Sequence, residues 1–288
     1  MSNVIGVDLG GTKIAVTKYD SSSWQILATE TAPTHAEFKM EAVYNEVLRA
    51  IRAYADADTK AVGVGVPGII EKASGSIVRL PNIPGSEGFA IAERMAADVK
   101  IPSIVENDAN CFAYAESVMG AGKGHRVFVG ITMGTGVGGG IIIDGKPFRG
   151  EHGYGAEIGH MLLMPGHPPY ATADKRGDVE QFLSGTALGK RCAAAKKPEE
   201  YLEGEVCAFM RPEVFREVAW MCTSIAHLID PSLIAFGGSA GRALKPHLGD
   251  IRNELAQWML PGAPLPELAI AELKDAATLG AALLACGK

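Results

Sequence analysis

The chain has 288 residues, 47% of them apolar and 21% charged, with 27 basic against 33 acidic side chains and a formal net charge of −6. That balance fits a globular protein with a sizeable core and excludes a nucleic-acid binder working through a broad basic surface. Glycine occurs 35 times, where the usual content of about 7% would give roughly 20. The glycines follow no G-X-Y period, which excludes collagen, and they sit beside strand-like runs, which argues against a disordered linker.

The five cysteines (Cys111, Cys192, Cys207, Cys222 and Cys286) are odd in number and widely spaced, with no C-x-x-C pair. This pattern predicts neither a disulfide framework nor a cysteine zinc site, and it fits a reducing compartment. No basic segment and apolar stretch precede Val4, and no run reaches 18 apolar residues. The expectation is therefore a soluble cytoplasmic protein without a membrane span.

Val4–Val7 ends in Asp8 and is followed by Gly10-Gly11-Thr12 and Ile14–Val16, which reads as strand, tight turn, strand. Residues 39–57 carry Met40, Val43, Val47, Leu48 and Ile51 at helical spacing. Ala61–Val66 is a strand stopped by Pro67-Gly68, and residues 88–99 read as a helix. Ile104-Val105 is a short strand that runs into Glu106-Asn107-Asp108 ahead of a helix over 109–119. Residues 127–143 repeat the opening grammar, since Asp8 and Thr132, like Gly10 and Gly134, are 124 residues apart. A repeat near half the chain length predicts two related domains, each opening with a hairpin whose turn could hold phosphate. Helices follow at 179–192, 212–229, 244–259 and 276–285, with a strand at Leu233–Phe236 broken by Gly237-Gly238. Residues 166–178 read as a loop. Alternating strands and helices make this an α/β chain.

Five places carry residues suited to chemistry. In Asp8-Leu9-Gly10-Gly11-Thr12-Lys13, glycines let backbone N–H groups approach an anion, and Asp8 could hold Mg²⁺. The spacing is neither a P-loop nor a dinucleotide fingerprint, and an ordinary hairpin reads equally well. Gly134–Gly140 holds five glycines in seven residues, a cost in backbone entropy explained by close approach to a phosphate chain or by a glycine bulge. Gly237-Gly238-Ser239 lies at a strand end, where α/β folds admit ligands and where plain turns also occur. In Glu106-Asn107-Asp108-Ala109-Asn110, Asp108 could take a proton from a substrate hydroxyl fixed by Asn107, or Asp108 or Asn110 could be a helix N-cap. Glu157 and His160, with Glu180 downstream, suit the vicinal hydroxyls of a carbohydrate. A di-metal site would need a second Glu-x-x-His, which the chain lacks, and a surface pair without a role is the remaining alternative.

Taken in order, DLGGTK at 8–13, GVPG at 65–68, LPNIPG at 80–85, ENDAN at 106–110, GTGVGGG at 134–140, GAEIGH at 155–160, EQFLSGTAL at 180–188 and FGGS at 236–239 resemble the ROK family of sugar kinases and related repressors. The resemblance spans essentially the whole chain. It implies an α/β, two-domain actin-like ATPase or sugar kinase fold with ribonuclease H-like repeats and an interdomain cleft for sugar and ATP. The smaller domain would be 1–116 plus the C-terminal helix 275–288, and the larger 117–274. Asp108 resembles the general base, and Gly68, Asn82, Asn107, Glu157, His160 and Glu180 resemble sugar contacts. Gly10, Gly11, Thr12 and Lys13 match the first phosphate element, Thr135 and Gly136 the second, and Gly238 the adenosine-side turn. ATP, Mg²⁺ and a homodimer are implied with them.

Two departures from the family pattern matter. Where many members carry C-x-C-G-x-x-G-C-x-E, the three cysteine positions here hold Ala171, Ala173 and Asp178, while Gly177 and Glu180 remain. Two ligands do not make a tetrahedral site, so no structural zinc is expected, and Asp178 or a backbone carbonyl must orient His160 instead. The helix-turn-helix of family repressors has no counterpart before Val4, so DNA is not an expected partner. The resulting expectation is an ATP-dependent kinase for the C6 hydroxyl of a hexose, glucose first, with fructose, mannose, N-acetylglucosamine or N-acetylmannosamine as alternatives and polyphosphate as an alternative donor. A sugar-sensing regulatory protein without turnover and an actin-like scaffold are the competing classes.

Overall fold

The protein is described by a computed structural model that covers residues 2–35, 37–80, 83–195, 198–202 and 204–287. The chain divides into two compact units. The first comprises Met1–Ala115, Pro147–Gly155 and Leu273–Lys288, and the second Glu116–Lys146 and Ala156–Glu272.

In chain order the first unit contains β1 (Asn3–Leu9), β2 (Lys13–Asp20), β3 (Ile26–Pro33), α1 (Met40–Tyr54), β4 (Thr59–Val66), β5 (Ile69–Ile70), β6 (Ile77–Arg79), α2 (Ile91–Val99) and β7 (Ser103–Asn107), followed by α3 (Asp108–Met119), which runs out of it. Its main sheet has the order β3-β2-β1-β4-β7. β1 and β2 are antiparallel with Leu9 opposite Ile14, so residues 10–13 make the turn. β4 runs parallel to β1 and β7 parallel to β4, and this register sets Asp8 beside Gly65 and Gly65 beside Glu106. The carboxyl ends of parallel strands are where α/β folds build ligand sites, and the candidate residues gather there. Buried Ile5, Val7, Val62 and Val64 pack with Tyr44, Val47 and Ile51 of α1 in one core cluster. On the C-terminal helix Ala276–Ala285 the packing is closer still. A Cβ at Gly6 or Gly63 would lie 1.9 Å from a carbonyl oxygen of that helix, Thr278 and Ala281 respectively. Part of the glycine excess therefore serves helix-on-sheet packing.

The second unit repeats the hairpin. It contains β8 (Val127–Met133), β9 (Val137–Ile143), β10 (Lys146–Pro147, whose Pro147 counts with the first unit), α4 (Val179–Leu183), α5 (Gly185–Arg191), α6 (Arg211–Ile229), β11 (Leu233–Gly237), α7 (Gly238–Arg242), α8 (Leu248–Trp258) and β12 (Glu267–Ile270). Its sheet order is β10-β9-β8-β11-β12, with β8 and β9 antiparallel and β11 parallel to both β8 and β12. Met133 pairs with Val137, so this turn is residues 134–136, one residue shorter than its counterpart.

Four readings of the sequence are corrected. β3 opens on exposed Ile26 and Leu27 and β12 has only the short apolar run Leu268–Ile270, and neither is among the predicted elements. The expected helix 179–192 is two helices, because Ser184 is extended (φ −66°, ψ 153°) and its side chain accepts from Ala187 N–H to cap α5. The expected helix from residue 244 opens as a 3₁₀ turn at Lys245–His247, with Pro246 in its first turn, and becomes α-helical at Leu248. Finally, Cys192 and Cys207 form a disulfide. Fifteen residues of separation hide that pairing from a spacing argument, and the crosslink removes the cysteine argument for a reducing compartment. Among the described residues, no helix is long and apolar enough to cross a membrane.

Candidate active site

In the first unit the turn after β1 is held by a residue that motif reading missed. Gly10 N–H donates to the Lys13 carbonyl at 2.9 Å. Thr34, buried just beyond β3, donates its N–H to the Thr12 carbonyl at 3.0 Å and its hydroxyl to the Gly10 carbonyl at 2.6 Å. Thr12 and Lys13 are exposed on this turn, and Gly11 is half-buried. Asp8, half-buried at the end of β1, is pushed up to about 6 by loss of water, with Lys13 acting in the opposite direction.

At the β7–α3 junction the helix cap is neither Asp108 nor Asn110. Asn107 Oδ1 accepts from Asn110 N–H at 2.9 Å, and its Nδ2 donates to the Gly68 carbonyl at 3.1 Å. This corrects the N-cap reading and leaves Asp108 as the first helical residue, half-buried, with Oδ1 accepting from Ala109 N–H at 2.8 Å. Gly68 has φ +149°, and a Cβ there would lie 2.3 Å from the Arg79 carbonyl oxygen. Only glycine fits this turn, which brings its carbonyl to Asn107. Asn82 lies outside the described residues.

In the second unit, Glu157 precedes a 3₁₀ turn at Ile158–His160 that packs under β9. A Cβ at Gly139 would meet Ile158 Cδ1 at 2.4 Å, and one at Gly159 would meet the Val137 carbonyl oxygen at 2.1 Å. Gly139 is thus a packing residue, which corrects the reading of the whole glycine run as a phosphate surface. Glu180, on α4, reaches the glycine turn 134–136: its Oε2 accepts from Val137 N–H at 2.9 Å and would lie 2.5 Å from a Cβ at Gly136. Burial raises the Glu157 carboxyl, His160 opposes the rise, and Glu180 adds to it. His160 Nδ1 is 3.2 Å from Asp178 Oδ2, and Asp178 also accepts from Gln181 N–H at 3.1 Å and faces Arg176 Nη1 at 3.4 Å. Of the two expected orienting groups, the carboxylate fills the role, backed by an arginine that carried no sequence signal. With Nδ1 committed to Asp178, Nε2 is the ring nitrogen for a ligand.

A cavity of about 250 Å³ in the second unit is lined by Gly134, Thr135, Gly185, Thr186, Tyr201 and Ser239. Gly185 N–H donates to the Gly134 carbonyl at 2.7 Å and Thr186 Oγ1 to the Thr135 carbonyl at 2.8 Å, which docks α5 on the glycine turn. Gly238 has φ +74°, and a Cβ there would lie 2.3 Å from the Met133 carbonyl oxygen. Of the predicted donor residues on this unit, Thr135 lines the cavity, Gly136 faces Glu180 and Gly238 supports the turn leading to Ser239. Gly185 and Thr186 lie inside a recognised motif, whereas Tyr201 had no signal. Among the described residues, no group of three His, Cys, Asp or Glu side chains converges as a metal site.

A sequence profile described as the ROK family matches residues 4–288. The chain belongs to the ROK family. Similar proteins include the glucokinase of Streptomyces coelicolor, 34% identical over 99% of this chain and 98% of that protein. The N-acetyl-D-glucosamine kinase of Erwinia tasmaniensis is 31% identical over 97% of this chain and 98% of its own. Among solved structures, the ROK family glucokinase from Streptomyces griseus in complex with glucose and AMPPNP is 31% identical, with complete coverage of both chains and a TM-score of 0.79. The two hairpin units described above are thus those of the ROK sugar kinases, which have the actin-like ATPase fold.

Proposed function

We propose that this ROK protein is an ATP-dependent hexokinase that transfers the γ-phosphoryl group to the C6 hydroxyl of glucose. Its family and its full-length relatives make it an enzyme of the sugar-kinase class. Glucose is the leading substrate because glucokinases recur among those relatives, beside N-acetyl-D-glucosamine kinases. The observation that carries the reading is the β7–α3 junction, where Asn107 is tied to Gly68 and to the helix start and Asp108 follows it.

In this mechanism Asp108 takes the proton of the attacking hydroxyl as the new O6–P bond forms and the bond from phosphorus to ADP breaks. Gly68, Asn82, Asn107, Glu157, His160 and Glu180 are the residues assigned to the sugar hydroxyls in this reading. Residues 10–13, Thr135, Gly136 and Gly238, joined by Gly185, Thr186, Tyr201 and Ser239, hold ATP through backbone amides and hydroxyls. An acidic chain can bind a polyanion in this way without a cationic face. Asp8, an acid with water withdrawn and little compensation beyond Lys13, fits as a Mg²⁺ ligand, direct or through water. Mg²⁺ supplies charge neutralisation on the phosphates when bound. A homodimer and a cytoplasmic location belong to the same reading.

A coupled assay with glucose, fructose, mannose, N-acetylglucosamine and N-acetylmannosamine, each with ATP or polyphosphate, tests this. The highest kcat/KM is expected for glucose with ATP. Strong turnover of an N-acetylated sugar with little on glucose overturns the substrate, and preference for polyphosphate overturns the donor.

A further inference from the structure

We infer that Arg149 and Glu106 form a pair that positions the β7–α3 junction, with Arg149 a positioning residue for the hexose-side groups Asn107 and Asp108. The inference rests on the kinase reading for the word hexose, and on geometry for the rest.

Glu106, the first residue of the ENDAN segment, is 5% exposed at the end of β7. Its carboxylate collects three donors. Asn107 N–H and Asn110 Nδ2 each reach Oε1 at 3.0 Å, and Arg149 Nε reaches Oε2. Among the described residues Asn110 Oδ1 is buried without a partner, and the side chain is held through Nδ2. One acid therefore fixes the backbone at Asn107 and the amide of Asn110, while Asn107 in turn caps the helix that Asp108 begins. Burying a carboxylate is costly unless it is paired and hydrogen-bonded, and Arg149 is the cation paired with it.

Arg149 reaches Glu106 because its segment belongs by its contacts to the first unit, although in sequence it interrupts the second. The segment is secured there. Gly155 N–H donates to the Arg149 carbonyl at 2.9 Å, and Gly153 leaves no room for a Cβ, which would lie 2.2 Å from the Ile70 carbonyl oxygen.

The full chain carrying Arg149→Met, Arg149→Lys, Glu106→Gln or the Arg149→Met/Glu106→Gln double change tests the pair by steady-state kinetics and by calorimetric hexose binding. Arg149→Met is expected to lower kcat/KM for the hexose by roughly 10–100-fold, the range for ångström-scale misplacement of reacting groups, with KM for ATP within about twofold. Arg149→Lys, which restores charge with poorer geometry, recovers a large part of the loss. The double variant is no worse than the poorer single one, as two halves of one interaction require. Hexose parameters within about twofold of wild type in Arg149→Met overturn the inference. So do equal losses toward hexose and ATP without rescue by lysine, or additive losses in the double variant. Because Arg149 is partly exposed, its two variants decide the matter even where a Glu106 variant fails to fold. A wild type that binds hexose without turnover removes the kinase reading alone, and hexose affinity in Arg149→Met then tests the pair. A wild type that neither binds nor turns over any hexose removes both.

Discussion

Nδ1 of His160 lies 3.2 Å from Oδ2 of Asp178, a carboxylate that is 1% exposed and whose other oxygen caps α4 through Gln181 N–H. One acid thus starts a helix and orients the imidazole beside Glu157. In the family pattern that position is a cysteine bound to zinc. Here that position holds Asp178, whose carboxylate meets the His160 ring directly and is faced by Arg176 at 3.4 Å.

Asp178→Asn keeps a cap but loses the charge facing His160, so KM for the hexose should rise several-fold while stability falls by less than about 1 kcal/mol. Asp178→Ala loses the cap as well and should cost roughly 1 kcal/mol more. KM and the denaturation midpoint separate the two effects. A zinc-selective chelator should leave the hexose KM of the wild type unchanged; a rise reversed by added zinc would show that a metal orients His160 after all.

Asp108→Asn should lower turnover by about 10²–10⁴-fold, the usual worth of a positioned general base. Hexose affinity, measured by calorimetry, should stay within a few-fold, because Asn107 and its ties to Gly68 and Asn110 are untouched. Unchanged turnover would remove Asp108 from the mechanism.

Asp8→Asn should stabilise the protein while impairing activity. The folded state holds the Asp8 carboxyl at about 6 against an ordinary value of 3.8, mainly by burial. Its ionisation is therefore harder in the folded chain than in the unfolded one, and its contribution to stability falls as pH rises from about 4 to 6. At pH 7.5 the variant should be more stable than wild type by about 1–3 kcal/mol, with partial solvent exposure already discounted, and the difference should vanish below pH 4. Thermal melts of both proteins across that range decide it, and a wild type more stable than the variant at pH 7.5 would refute the assignment.

The Cys192–Cys207 crosslink leaves Cys111, Cys222 and Cys286 as thiols. Unreduced, denatured protein should therefore titrate three thiols, and reduced protein all five. Closing a loop of 15 residues is worth about 3 kcal/mol, so Cys192→Ser should lower the melting temperature of non-reduced protein by several degrees. Tyr201, which lines the cavity at the second glycine turn, lies within that loop, and on the kinase reading KM for ATP should rise in the same variant. Five thiols before reduction would refute the crosslink.

Local chemistry in the sequence was enough for the two glycine hairpins, the 124-residue repeat, the α/β alternation and the order of the ROK motifs, because each depends on residues near one another in the chain. Asp108, Glu157, His160 and Glu180 stand out as candidates for the same reason. The tertiary structure decided what those residues touch. Thr34 holds the first turn, Gly139 makes room for Ile158 and Gly136 for Glu180, and Asn107 takes the helix cap from its neighbours. It also joined Cys192 to Cys207 and brought Arg149 back to Glu106 from 43 residues away. The physical reason is that glycines, cysteines and single charged side chains have the same local signature whatever they meet. Their roles are set by close approach and by the pairing of buried charge, and both exist only once the strands have assembled.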